Sequence, residues 1–223
     1  MKKKISMITE GIIGDMVRRD LAGNKRKEDI VKQIYFPKTT YDLKVIVKNE
    51  MKDQGGEHLD LRMVDVSGIE DMTYIFSRYK NLKSIDISNW NVSSVKNMAF
   101  MFSECKNLES IDVSNWNVSG VKNMTNMFFK CENLKSIDVS NWDVHKVEDM
   151  NGMFFECKNL ESIDVSNWDV SGVENMSYMF YKCENLESID ISNWDVSGVK
   201  NIGFMFSGCK FKYKLSNNHL IKL

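Results

Sequence analysis

Two hydrophobic periods alternate along most of this chain, and together they fill a frame of 26 residues. In residues 82–107, LKSIDISNWNVSSVKNMAFMFSECKN, Ile85 and Ile87 alternate with Ser84, Asp86 and Ser88. A period of two predicts a short strand with one face on the core. Trp90, Val92 and Val95 carry the apolar series through a turn rich in Ser and Asn. Val95, Met98, Met101 and Phe102 then recur at three and four, which predicts one or two helical turns on the opposite side. The frame repeats: Trp90, Trp116, Trp142, Trp168 and Trp194 mark it, as do Cys105, Cys131, Cys157, Cys183 and Cys209, and a Phe column from Phe76 to Phe206. A fixed period of this size marks an array in which each repeat is one supersecondary unit and its neighbours complete the core.

Six full repeats fit between Leu59 and Lys214. The first is degenerate, with Leu59, Leu61, Val64, Val66, Ile69, Met72 and Phe76 in the apolar slots and Val64 where later repeats have Trp. A seventh begins, with Leu215 in the Ile slot and Leu220 in the Trp slot. Residues 1–58 precede the array and read as a helical segment and cap, so residues 59–223 form the repeat domain with a short C-terminal cap. Ile5, Ile8, Ile12, Met16 and Val17 fall on roughly one helical face, and a second short helix is expected over 25–34. The firmest helix follows Pro37. Thr39-x-x-Asp42 is a capping box, Leu43, Ile46, Val47 and Met51 make an apolar face, and Gly55-Gly56 stop it. The open end of an array exposes apolar interior, so a cap is required there.

The start Leu82-x-x-Ile85-x-Ile87 resembles the L-x-x-L-x-L opening of a leucine-rich repeat. The longer run I-D-V-S-N-W-N-V-S-x-V-x-N-M-x-x-M-F-x-x-C-x-N-L resembles the repeat of bacterial BspA-like leucine-rich-repeat surface proteins. The likeness covers about residues 59–215, and the lead-in from Phe36 to Phe76 is similar to the entry segment of that group. The resemblance implies a solenoid, non-enzymatic binding and, often, adhesion at the cell surface. Trp90 stands where ordinary leucine-rich repeats place the turn Asn, with Asn89 one residue earlier. The expected fold class is therefore α/β: a leucine-rich-repeat-like solenoid of 26-residue coils with a parallel sheet and an N-terminal helical cap.

Composition narrows the chemistry. The chain has 223 residues, 43% of them hydrophobic, and a formal net charge of −1, so it has no bulk attraction for nucleic acid or anionic lipid. The charge is uneven: residues 1–58 hold 13 Lys/Arg against 9 Asp/Glu, and residues 59–223 hold 17 against 22. The five cysteines occupy one column beside the Met-Phe pair, where a small buried hydrophobe is expected rather than a disulfide framework. His58, His145 and His219 follow no period, so no metal ladder is expected. The start MKKKISMITEGIIGDMVRRD lacks the continuous apolar core of a signal peptide. With reduced cysteines, that favours the cytoplasm, the cell surface being the alternative that the resemblance implies.

The candidate binding residues lie on the strand side. Asp86, Asp112, Asp138, Asp164 and Asp190 share one slot, and Ser88, Ser114, Ser140 and Ser166 share the slot two residues on. Stacked strands bring like charges to about 4.8 Å, so the column needs a reason. Either it binds a cation or a basic partner, or it pairs with the serines and with backbone donors; the structural role is the favoured one. The Trp and Met-Phe columns read as core, and the Asn columns at 89 and 97 as turn caps. Glu104, Lys130, Glu156 and Lys182 alternate in sign, in opposite phase to Lys106, Glu132, Lys158, Glu184 and Lys210, which predicts a self-complementary surface ridge that fixes register. There is no Gly-rich phosphate loop, no paired Cys/His and no nucleophile with a spaced base. The expected function is a non-enzymatic, cofactor-free scaffold that binds another protein through its sheet face. The alternatives are an exported adhesin, and binding of nucleic acid or an acidic partner through the basic clusters in residues 1–34.

Overall fold

The computed structural model describes residues 36–211 and two further strands at 213–216 and 219–222. Residues 1–34, with their expected helices and basic clusters, lie outside the described residues.

The capping box forms as its sequence dictates. Thr39 accepts from the Asp42 N–H at 3.1 Å, and Asp42 accepts from the Thr39 N–H at 3.0 Å. Helix α1, Thr40–Asp53, buries Leu43, Val47 and Met51 against the array. Gly55 and Gly56, at φ +81° and +78°, then turn the chain into the first strand. Strands β1 (His58–Asp60), β2 (Ser84–Asp86) and β3 (Ser110–Ile111) pair in parallel, with Leu59 opposite Ile85 and Ile85 opposite Ile111. Each partner lies 26 residues on, so the sequence period is also the pairing register. A single bridge between Ser136 and Ser162 continues this side. A second parallel ladder runs along another edge: Asp71, Asn97, Asn123, Asp149, Asn175 and Asn201 bridge in succession.

The expected helical turns do not form; among the described residues, α1 is the helix and the repeats contain none. The segment from Met98 to Cys105 is a series of tight turns instead. Met101 N–H donates to Met98 O, and Cys105 N–H donates to Phe102 O. Phe100 and Glu104, third in those turns, have φ of +58° and +61°. The same slots are left-handed in every repeat, at Tyr74, Asn126, Gly152, Tyr178 and Phe204 and at Arg78, Lys130, Glu156, Lys182 and Gly208. A non-glycine residue there costs about 1 kcal/mol or more. The cost is offset between repeats, because the Met98, Phe100, Phe102 and Glu104 N–H groups donate to the Asn123, Thr125, Met127 and Phe129 carbonyls. Those carbonyls cannot also serve an i→i−4 helix. The expected seventh repeat is also replaced: β4 (Tyr213–Ser216) and β5 (His219–Lys222) form an antiparallel hairpin that pairs Leu215 with Leu220.

The core is a stack of columns. Phe76 to Phe206 stack ring on ring at 5.1–5.6 Å. Trp116, Trp142, Trp168 and Trp194 stack at 6.3–6.4 Å and are buried, which assigns the tryptophans to the core and not to an exposed stripe. Trp90, Trp142, Trp168 and Trp194 donate their indole N–H to a carbonyl 29 residues earlier. The Trp116 N–H is buried without an acceptor. The cysteine thiols use the same offset: Cys105, Cys131, Cys157, Cys183 and Cys209 donate to the Phe76, Phe102, Phe128, Phe154 and Phe180 carbonyls at 3.0–3.2 Å.

Candidate recognition surface

Each aspartate of the strand column first serves its own turn. Asp86 Oδ1 accepts from the Ser88 N–H at 3.2 Å and from the Ser88 hydroxyl at 2.8 Å. Asp112 with Ser114, Asp138 with Ser140, Asp164 with Ser166 and Asp190 with Ser192 repeat this pair of bonds. This is an Asx turn, in which the side chain replaces the backbone acceptor that the bend removes. The bonds from Ser166 and Ser192 hold the Asp164 and Asp190 carboxyls below the usual range. The favoured structural reading of the column is therefore present in the geometry.

Two other columns make the same turn. Asn91, Asn117, Asp143, Asp169 and Asp195 accept from the N–H two residues on. So do Asp71, Asn97, Asn123, Asp149, Asn175 and Asn201. Every repeat thus turns on three Asx residues. In these two columns Asn and Asp interchange, so the turn needs an acceptor oxygen and not a charge. The strand column holds Asp at 60, 86, 112, 138, 164 and 190. Its charge exceeds what its turn requires.

The charge is compensated at one end of the array. Arg62 pairs with Asp60 at 2.7 Å and with Asp86 at 3.0 Å, and the guanidinium holds the Asp60 carboxyl below the usual range. Among the described residues, no cation pairs with Asp112, Asp138, Asp164 or Asp190, and all four are exposed. A shallow, open depression crosses this face, lined by Ser136, Ile137, Asp138, Ser140, Ser162, Ile163 and Asp164. The structure thus brings together on one side the aspartates and serines that the sequence singled out.

Two further columns have their polar groups committed elsewhere. The alternating ridge pairs between repeats, with Glu132 joined to Lys106 at 2.7 Å and to Lys158 at 3.3 Å, and Glu156 near Lys130 and Lys182. Asn107, Asn133, Asn159 and Asn185 form a side-chain amide ladder at 3.3–3.4 Å, which sequence reasoning missed although the 26-residue spacing carries it. Among the described residues there is no group of His, Cys, Asp or Glu that would hold a metal ion.

The model of one protein family, described as Mycoplasma protein of unknown function, DUF285, matches residues 46–137 and 126–221. No curated protein matches the chain. Among solved structures, the crystal structure of a TLR13–ssRNA13 complex matches at 14% identity, over 76% of this chain and 25% of that one, with a TM-score of 0.36. The chain spans about a quarter of the length of that protein. No helix among the described residues is long and apolar enough to cross a membrane.

Proposed function

We propose that this chain, which belongs to the family described as Mycoplasma protein of unknown function, DUF285, is a non-enzymatic scaffold that binds another protein. Its array is a leucine-rich-repeat-type solenoid of 26-residue coils, and recognition uses the strand face. One observation carries this reading: the strand column keeps a carboxylate in every repeat, while the two other Asx columns accept Asn for the same turn. The stretch from Asp112 to Asp190, which pairs with no cation among the described residues, presents equivalent acidic sites with a hydroxyl beside each, a surface suited to a basic partner. Affinity then comes from the number of repeats engaged.

The first test is elution. A partner captured from an extract of the source cells by the whole chain is expected to wash off as salt rises, because exposed charges are screened over about 10 Å at 0.1 M ionic strength. A partner that stays bound at molar salt contradicts the reading. The likeness of the repeat to BspA-like surface proteins supports a second reading, an adhesin on the cell surface. Protease treatment of intact cells separates the two: a shaved product favours the adhesin, and a protected chain favours the cytoplasmic scaffold.

A further inference from the structure

Among the described residues nothing covers the outer face of α1, which carries a different chemistry from the strand side. Tyr41, Val45, Lys48 and Lys52 follow at steps of four, three and four, so they share one face, with Lys44 beside them. Tyr41 is 74% exposed and Val45 41%. The acids of the helix lie off this face. Asp42 is used in the capping box, Glu50 is buried with the core side and bonded to Gln54, and Asp53 falls on the flank. The first repeat extends the patch. Thr40 Oγ1 donates to Asp71 O at 2.7 Å, which sets the start of α1 against the turn that carries Tyr74. Tyr74 is half-exposed, with Lys44 Nζ 5.8 Å from its ring centre.

We infer that this face docks the protein on an anionic lipid surface. Lysines that alternate with an aromatic and an aliphatic side chain on one helix face suit the headgroup boundary: the apolar side chains enter it, and the ammonium groups reach the phosphates. Charge distribution orients the approach. Lys44, Lys48 and Lys52 share this face with no acid among them, whereas the strand face carries the exposed Asp112, Asp138, Asp164 and Asp190, so this face is attracted while the strand face is repelled. A nucleic acid fits less well. Single strands are held by bases stacked on open aromatic faces. Of the two tyrosines here only Tyr41 presents an open ring, since Tyr74 has Phe100 stacked on one side, at 4.7 Å, with Lys44 approaching it as well.

The test is cosedimentation of the full chain with vesicles of phosphatidylcholine alone and of phosphatidylcholine mixed with phosphatidylglycerol. Binding is expected to the anionic vesicles only. Each lysine near such a surface contributes about 1 kcal/mol, or about fivefold, so the triple variant K44Q/K48Q/K52Q should bind about 100-fold more weakly. The variant Y41S/V45S should bind more weakly at the same vesicle charge. All five positions lie on the outer side of α1, and an unchanged melting temperature verifies that the fold is kept. Equal binding to neutral vesicles, or anionic binding that the triple variant leaves intact, overturns the inference. So does a chain that ignores vesicles but binds a single-stranded oligonucleotide or polyglutamate through the same lysines, or one that dimerises through this face.

Discussion

Between neutral pH and about pH 10, the denaturant midpoint of this protein is expected to fall steeply. The cause is the thiol column. Burial pushes Cys105 up to about 12 and Cys209 up to about 11, and pushes Cys131, Cys157 and Cys183 upward as well. In the unfolded chain a thiol ionises near about 8.5. Below that value both states hold the proton and the stabilisation is fully present. Above it the unfolded chain releases protons that the folded chain keeps, so stability drops as pH rises. At about pH 10 the loss is about 2 kcal/mol per thiol. Cys105, Cys131, Cys157 and Cys183, all fully buried, together lose about 8 kcal/mol, comparable to the entire stability of an ordinary domain. Urea titrations at a series of pH values measure it, and thiol labelling checks the cause. Few of the five should react in the native state and all should react after denaturation. A flat midpoint across this range, or rapid native labelling of most thiols, contradicts the assignment.

Phe128→Ala should destabilise by about 3–5 kcal/mol. The ring is fully buried between Phe102 at 5.2 Å and Phe154 at 5.5 Å, so its removal opens a gap in mid-column that no neighbour can fill without moving a repeat. Backbone bonds fix the repeats on both sides: Phe128 N–H donates to Met153 O, and Phe102 N–H donates to Met127 O. Phe206→Ala should cost less, because that ring is only half-buried and stands at the end of the column. In an array whose repeats touch only their neighbours, a weak central contact also divides the molecule. Phe128→Ala should therefore broaden or split the unfolding transition, and Phe206→Ala should not. Equal costs at the two sites would mean that the columns do not transmit stability along the array.

The strand and core columns were legible because burial repeats on the same 26-residue frame as the side chains. The turn series was not. Val95, Met98, Met101 and Phe102 recur at three and four, a spacing shared by a helical face and by successive tight turns that point their first and last side chains inward. The discriminating signal was present but faint: Asn126, Gly152 and Gly208, all tolerant of positive φ, occupy the slots that prove left-handed. Leu215 and Leu220 fit the slots of a seventh repeat by number alone. The Asn217-Asn218 pair between them is a hairpin signal that the slot count passed over. The aspartate column was ambiguous for a chemical reason, since an Asx turn and an acidic binding face use the same residue. Comparison of the three Asx columns within the chain shows that the turn itself takes Asn as well as Asp.

That comparison also supplies the decisive measurement. In D112N/D138N/D164N each side chain keeps the Oδ1 that accepts from Ser114, Ser140 and Ser166, while three charges are lost. In D112A/D138A/D164A the acceptors go too, and each hydrogen bond to a charged group is worth about 1.5–3 kcal/mol. The Asn variant should keep its midpoint within about 1 kcal/mol of the parent, and the Ala variant should lose several kcal/mol. The binding of the captured partner to the Asn variant is the measurement that bears on function. Binding that collapses while the fold is intact is the result expected of a face that recognises through its charge; binding that persists undiminished per folded molecule would contradict it.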